Sequence, residues 1–223
     1  IITGSDRFQT GRYALENFEI DTLILDDGFQ HLALRRDLDI LLCDHERPLG
    51  NNHLFPAGEL REPASETRRA DMVCFTRYLG GPIKFPSKYL GAIPQIKAHL
   101  RLDSIISMDN GDVCEVEVLK NQSVAAFCGI AYPEGFRQIL QDTHIQLKMF
   151  KAFPDHHEYS LNDIKELEAK ALKEGGELIL VSEKDAVKLK DFKFSLPFYK
   201  VVIDLEILEG REIFNNNITT NRH

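Results

Sequence analysis

The chain has 223 residues, of which 43% are hydrophobic and 28% charged, a composition ordinary for a globular protein and long enough for one large domain or two modest ones. A formal net charge of -8 argues against a general nucleic-acid binder, because displacing counterions from phosphates takes a basic field. The longest apolar stretch, residues 124–132, falls far short of the roughly 20 residues that a spanning helix needs.

Taken in chain order, the pattern alternates. The opening Ile1-Ile2-Thr3, with no methionine, reads as the middle of a strand, and the chain is expected to be a fragment of a longer protein. An amphipathic helix is expected over 6–18, buried strands over 22–26, 38–43 and 72–75, and a helix over 63–70 that opens on Pro63. Residues 95–122 read as a β-hairpin around Asn110-Gly111 and as a linker between domains. Beyond it, strands are expected over 123–128, 178–181 and 198–203, and helices over 132–142 and 161–174. The helix over 161–174 is the clearest: Ser160 is its N-cap, Asp163 its capping-box acid, and Leu161, Ile164, Leu167 and Ala171 share one face. The polar tail from Gly210 is expected to fray. This alternation of strand and helix means α/β, with domains over 1–94 and 123–209, the linker over 95–122 and the tail over 210–223.

Cys43, Cys74, Cys114 and Cys128 show no C-x-x-C spacing and sit mostly in apolar runs, so they read as buried free thiols of a reducing cytosol. Arg35-Arg36, Arg68-Arg69 and the Lys184, Lys188, Lys190 group read as solvated faces, or as contacts to a small anion.

Four stretches can carry chemistry. In LILDDGFQH an apolar run ends in Asp26-Asp27, which is either a turn or the carboxylate rim of a parallel sheet that holds Mg²⁺ beside nucleotide phosphates. Two adjacent carboxylates repel unless a cation or donor offsets them, which favours the second reading. In FPAGELREP, Arg61 suits phosphoryl charge through its planar fork, and Glu62 either joins a metal shell, positions a partner or merely favours the following helix dipole. In FPDHHEYS, Asp155, His156 and His157 can supply a proton acceptor with an orienting carboxylate, a metal ligand, or only a cap with surface histidines. In VSEKDAVKL, the acids of a first helical turn complement the helix dipole, and Lys184 is the residue able to touch phosphate.

With LDDGFQH, PAGELREP, FPDHHEY and SEKDAVKL in this order, the chain resembles the tetraacyldisaccharide 4'-kinase family, the lipid A 4'-kinases, over most of its length. The resemblance implies transfer of the γ-phosphate of ATP to the 4'-hydroxyl of a tetraacyldisaccharide 1-phosphate with Mg²⁺, at the inner face of the cytoplasmic membrane. It implies two α/β domains, a P-loop NTPase-like half and a smaller C-terminal one, joined by a two-stranded β linker with the active site in the cleft between them. Carried over by position, Asp26 and Asp27 match the Walker B acids that serve the metal, and Gln30 and His31 extend that motif along the cleft. Arg61 and Glu62 match the LREP loop, His156 or His157 brings a catalytic or nucleotide-side histidine, and Arg7 of GSDRFQT reaches substrate phosphate. The glycine-rich loop G-x-x-x-x-G-K-[ST] does not occur in these residues, and the family layout puts it before Ile1. This chain by itself is therefore expected to lack kinase activity. Two other readings stay open: a metal-dependent phosphoesterase built on the Asp-Asp and Asp-His-His clusters, and a non-catalytic nucleotide- or lipid-binding fragment.

Overall fold

The structure, a computed structural model, describes residues 1–220. In chain order the longer elements are α1 (Arg7–Asn17), β1 (Ile40–Asp44), β2 (Met72–Thr76), α2 (Ser87–Leu90), β3 (Gln95–Ser107), β4 (Val113–Cys114), α3 (Val116–Leu119), β5 (Ser123–Cys128), α4 (Pro133–Asp142), β6 (Gln146–Ala152), α5 (Leu161–Lys173), β7 (Leu178–Ser182), α6 (Glu183–Ala186), β8 (Phe198–Glu209) and α7 (Arg211–Thr220), with a 3-10 helix at Ala64–Arg69. The chain divides into two compact units, Ile1–His99 with Glu206 onward, and Leu100–Leu205. The crossings fall inside two strands, β3 and β8. The hairpin expected at Asn110-Gly111 is short: β3 and β4 pair antiparallel only at Ile105–Cys114 and Ile106–Val113, and the alternating residues that follow form the helical turn α3.

In the first unit β1, β2 and β3 are parallel neighbours, with Ile40 opposite Met72 and Val73 opposite Gln95. Side chains alternate across a strand, so β2 feeds two cores. Val73 and Phe75 pack with Cys43, Leu49, Phe85 and Leu90 on one face, while Met72 and Cys74 pack with Ile96 and Ala98 on the other. The tail does not fray where described: residues from Arg211 form α7, whose Phe214 packs against this second core.

The expected strand at 22–26 is absent. These residues enter no ladder among the described residues, and Leu23 and Ile24 are 51% and 93% exposed. An apolar run becomes a strand only when a neighbour supplies the facing N–H and C=O groups.

In the second unit β6, β5, β7 and β8 lie side by side and parallel. Ala125, Phe127, Ile179 and Val181 face α5, packing on Ile164, Leu167 and Ala171, while Val124, Ala126, Leu178 and Leu180 face the other way onto Phe136 and Leu140 of α4. A parallel sheet covered on both faces explains why β5 and β7 read as unbroken apolar runs.

α5 begins as expected, with Ser160 accepting the Asp163 N–H and the Asp163 carboxylate accepting the Ser160 N–H at 2.8 Å. The Ser160 bonds, foremost its hydroxyl, hold the Asp163 carboxyl below its ordinary value. A depressed folded pKa stabilises the fold above the ordinary carboxylate range, and that contribution disappears as pH falls through the folded value. Asp163→Ala is therefore expected to lower stability at neutral pH. Urea melts should show the gap to wild type shrinking on acidification; a gap independent of pH would contradict the capping role.

Cys43, Cys74 and Cys128 are buried and Cys114 is partly buried; all four are free thiols. Burial pushes the Cys43 and Cys128 thiols up to about 12. They are inert fillers at neutral pH.

Candidate functional site

In the first unit the two loops picked out by sequence are clasped together. Asp27 takes a positive φ of 48°, and its Oδ2 accepts from Arg61 Nη1 at 2.7 Å. Arg7, at the start of α1, points its guanidinium at the backbone carbonyls of Asp26 (3.4 Å) and Asp27 (3.3 Å). Gln30 donates to Glu62 at 3.2 Å. His31 contributes its backbone here, its carbonyl accepting from Arg36 at 2.6 Å.

The centre of the clasp is Arg69, which sequence reading left as a solvated face or a contact to a small anion. Arg69 Nη2 donates to both Glu62 oxygens at 2.7 and 2.9 Å and to the Phe29 carbonyl at 3.3 Å, and its guanidinium lies 4.6 Å over the Phe29 ring. Its other arm meets Glu66 at 3.2 Å. Glu62 is thereby a fixed acceptor, one-fifth exposed, that ties the LREP loop to the acid loop. Arg36 is likewise structural, paired with Asp39 at 2.6 Å while holding the carbonyls of His31 and Leu34. The only sequence signal for either arginine was its nearness to a motif.

The FPAGELREP loop is shaped by its own backbone. Phe55 N–H donates to the Leu60 carbonyl at 2.8 Å, and Leu60 N–H to the His53 carbonyl at 3.1 Å. Gly58 is required inside it, since a Cβ there would sit 2.3 Å from the His53 carbonyl oxygen.

The second unit carries the FPDHHEY loop between β6 and α5. His156 N–H donates to the Gly129 carbonyl at 3.2 Å, and His157 N–H to the Pro154 carbonyl at 3.1 Å, closing a turn with His156 at φ 59°. The two histidines differ. The His157 ring stacks on Phe153 at 4.6 Å, meets Tyr159 edge-on and has Nε2 3.4 Å from the Asp163 carboxylate. The His156 side chain is 89% exposed, with Nε2 3.7 Å from Asp155. Of VSEKDAVKL, Lys184 is exposed, whereas Asp185 is fully buried.

A magnesium ion takes oxygen donors, usually one or two carboxylates completed by water and substrate phosphates. Asp26 and Asp27 are both exposed, and Arg61 engages a single Asp27 oxygen, so the pair fits that requirement. Among the described residues no group of three or more His, Cys, Asp or Glu side chains gathers as a metal site.

Parallel α/β units with an acid loop braced by arginines define the class at the level of fold. Comparison with known proteins takes it further: a family model described as Tetraacyldisaccharide-1-P 4'-kinase matches residues 1–221. The chain belongs to this family. It is 43% identical over 190 residues to a tetraacyldisaccharide 4'-kinase of Pelobacter propionicus, covering 85% of this chain and 52% of that protein. It is 39% identical over 209 residues to that of Geobacter sulfurreducens, covering 93% and 58%. The crystal structure of LpxK from Aquifex aeolicus in complex with ATP is similar with a TM-score of 0.75 at 31% identity, covering 97% of this chain and 62% of that one. The chain thus spans little more than half the length of its curated relatives.

Proposed function

We propose that the full-length protein is an ATP-dependent lipid kinase that phosphorylates the 4'-hydroxyl of a tetraacyldisaccharide 1-phosphate in lipid A synthesis. Family membership supports the reaction, and the observation that carries the site is the clasp of Asp26-Asp27 with Arg61, Glu62 and Arg69. Phosphoryl transfer asks a protein mainly for positioning and charge stabilisation, with little covalent chemistry. Asp26 and Asp27 would hold Mg²⁺, which when bound neutralises charge on the β- and γ-phosphates. Arg61 keeps one Asp27 oxygen oriented and presents a guanidinium fork at the same loop. Glu62 and Gln30 fix the distance between the two loops. Arg7 holds the backbone of the acid pair, at the root of α1.

His156 is the histidine that serves the reaction, and His157 is a packing residue. Stacking on Phe153 and the approach of Asp163 tie up the His157 ring, whereas the His156 ring is open to a substrate beside the Asp155 carboxylate. A group that accepts or relays a proton must reach the reacting atoms.

No helix among the described residues is long and apolar enough to cross a membrane. The enzyme meets its acylated substrate peripherally, at the inner face of the cytoplasmic membrane.

The test is product formation. Full-length protein incubated with γ-labelled ATP, Mg²⁺ and tetraacyldisaccharide 1-phosphate is expected to label that acceptor, and to leave a 4'-deoxy acceptor unlabelled. Release of phosphate from the acceptor without ATP, or no transfer at all, would overturn the reading.

A further inference from the structure

The second unit buries a carboxyl side chain that the proposed reaction does not use. Asp185 is 0% exposed, and burying a carboxyl group costs free energy that its neighbours must offset. Its Oδ2 accepts from the Gly129 backbone N–H at 2.8 Å and from the Ser182 hydroxyl at 2.5 Å. The Lys188 ammonium lies 3.6 Å from its Oδ1. Helix capping does not account for this arrangement: α6 has four residues, and Ser182 already caps it by accepting the Asp185 N–H.

Two of these three partners, Gly129 and Lys188, lead to the histidine loop. Gly129, held through its N–H by Asp185, accepts the His156 N–H on its carbonyl at 3.2 Å. Lys188, drawn to Asp185, donates to the His157 carbonyl at 3.0 Å. Two routes therefore run from one carboxylate to the backbone of two neighbouring residues.

Packing closes the same junction. A Cβ on Gly129 would lie 2.9 Å from the Tyr159 hydroxyl, 3.1 Å from the Pro154 carbonyl and 3.2 Å from Asp185 Oδ1, so glycine alone lets these groups converge. Burial, reinforced by the Asp185 charge, raises the Tyr159 phenol and keeps it protonated. A left-handed histidine, as at His156, persists only where the surroundings over-determine it.

We propose that Asp185 is a positioning residue that fixes the loop 154–157 through Gly129 and Lys188, so that the His156 ring is presented in one orientation. The inference rests on the proposed role of His156. It predicts that removing the carboxylate frees the loop without dismantling the sheet.

The experiment has two arms, both on the full-length protein. Amide hydrogen exchange should show Gly129 and His156 losing protection in Asp185→Asn while the amides of β5 and β7 keep theirs. In the kinetic arm, Asp185→Asn should lower kcat by about tenfold with KM for ATP unchanged, as expected when a partner behind a reacting group is lost. Combined with His156→Ala, it should be no slower than His156→Ala alone. Additive losses, or unchanged exchange at both amides, would overturn the proposal. Wild-type kcat in His156→Ala would sink the role of His156 instead, and the exchange arm would still decide whether Asp185 fixes the loop. Should Asp185→Asn fail to fold, Lys188→Met leaves the carboxylate and its two other donors in place. It is expected to release His157 and lower kcat, and wild-type behaviour there would count against the proposal.

Discussion

Asp27→Asn in the full-length protein is expected to lower kcat by roughly two to three orders of magnitude, because on the proposed role it removes a metal ligand, worth several kcal/mol to the transition state at about 1.36 kcal/mol per tenfold. The same substitution weakens the pair with Arg61, but both side chains are more than 60% exposed. Exposed pairs contribute little to stability, so the fold should survive. Asp26→Asn should behave alike, since its side chain lies on the same exposed turn. Steady-state kinetics beside a urea melt separate the two effects. Wild-type turnover in both variants would reduce the acid pair to a turn.

Arg69→Met is expected to act in the opposite proportion, on stability first. Arg69 is three-quarters buried and serves Glu62, Glu66, the Phe29 carbonyl and the Phe29 ring at once. Removing one partner of a charged, half-buried network leaves the other unsatisfied, at a cost of about 2–3 kcal/mol. Arg61→Ala, at the exposed end of the same clasp, should leave stability nearly unchanged. Denaturant melts of the two variants give the comparison directly. Turnover should also fall in Arg69→Met, because Glu62 and with it Gln30 lose their anchor; equal melts would mean that the clasp does not hold the site together.

The sequence made some of this legible and hid the rest for physical reasons. β2, β5 and β7 were readable because a doubly covered strand is apolar throughout, β1 by its apolar run although Leu42 is exposed, and α5 because capping is local chemistry. β6 passed unnoticed, as Gln146, Lys148 and Lys151 break its apolar pattern at an edge of the second unit's sheet. α7 was hidden by its asparagine run, which disfavours helix in isolation and is overridden where Phe214 finds a core. Residues 22–26 had a strand's composition and no paired strand beside them among the described residues.

The same division runs through the candidate site. Motif residues announced themselves by type and spacing, but their anchors did not. Arg69 reaches Phe29 across 40 positions, and Asp185 reaches Gly129 across 56. Nothing local marks such contacts: Asp185 stood as an ordinary acid in a first helical turn until its burial was visible. The difference between His156 and His157 is likewise a matter of which ring is stacked, and adjacency in sequence conceals it.

The account depends on the acid pair meeting a divalent ion beside nucleotide phosphate, and manganese reports that contact directly. Titrating Mn²⁺ into full-length protein with a non-hydrolysable ATP analogue, followed by electron paramagnetic resonance, should give a bound signal in wild type. The Asp26→Asn/Asp27→Asn double variant should bind Mn²⁺ at least about tenfold more weakly in the ternary complex. Equal Mn²⁺ affinity in the two proteins would show that these carboxylates do not hold the metal.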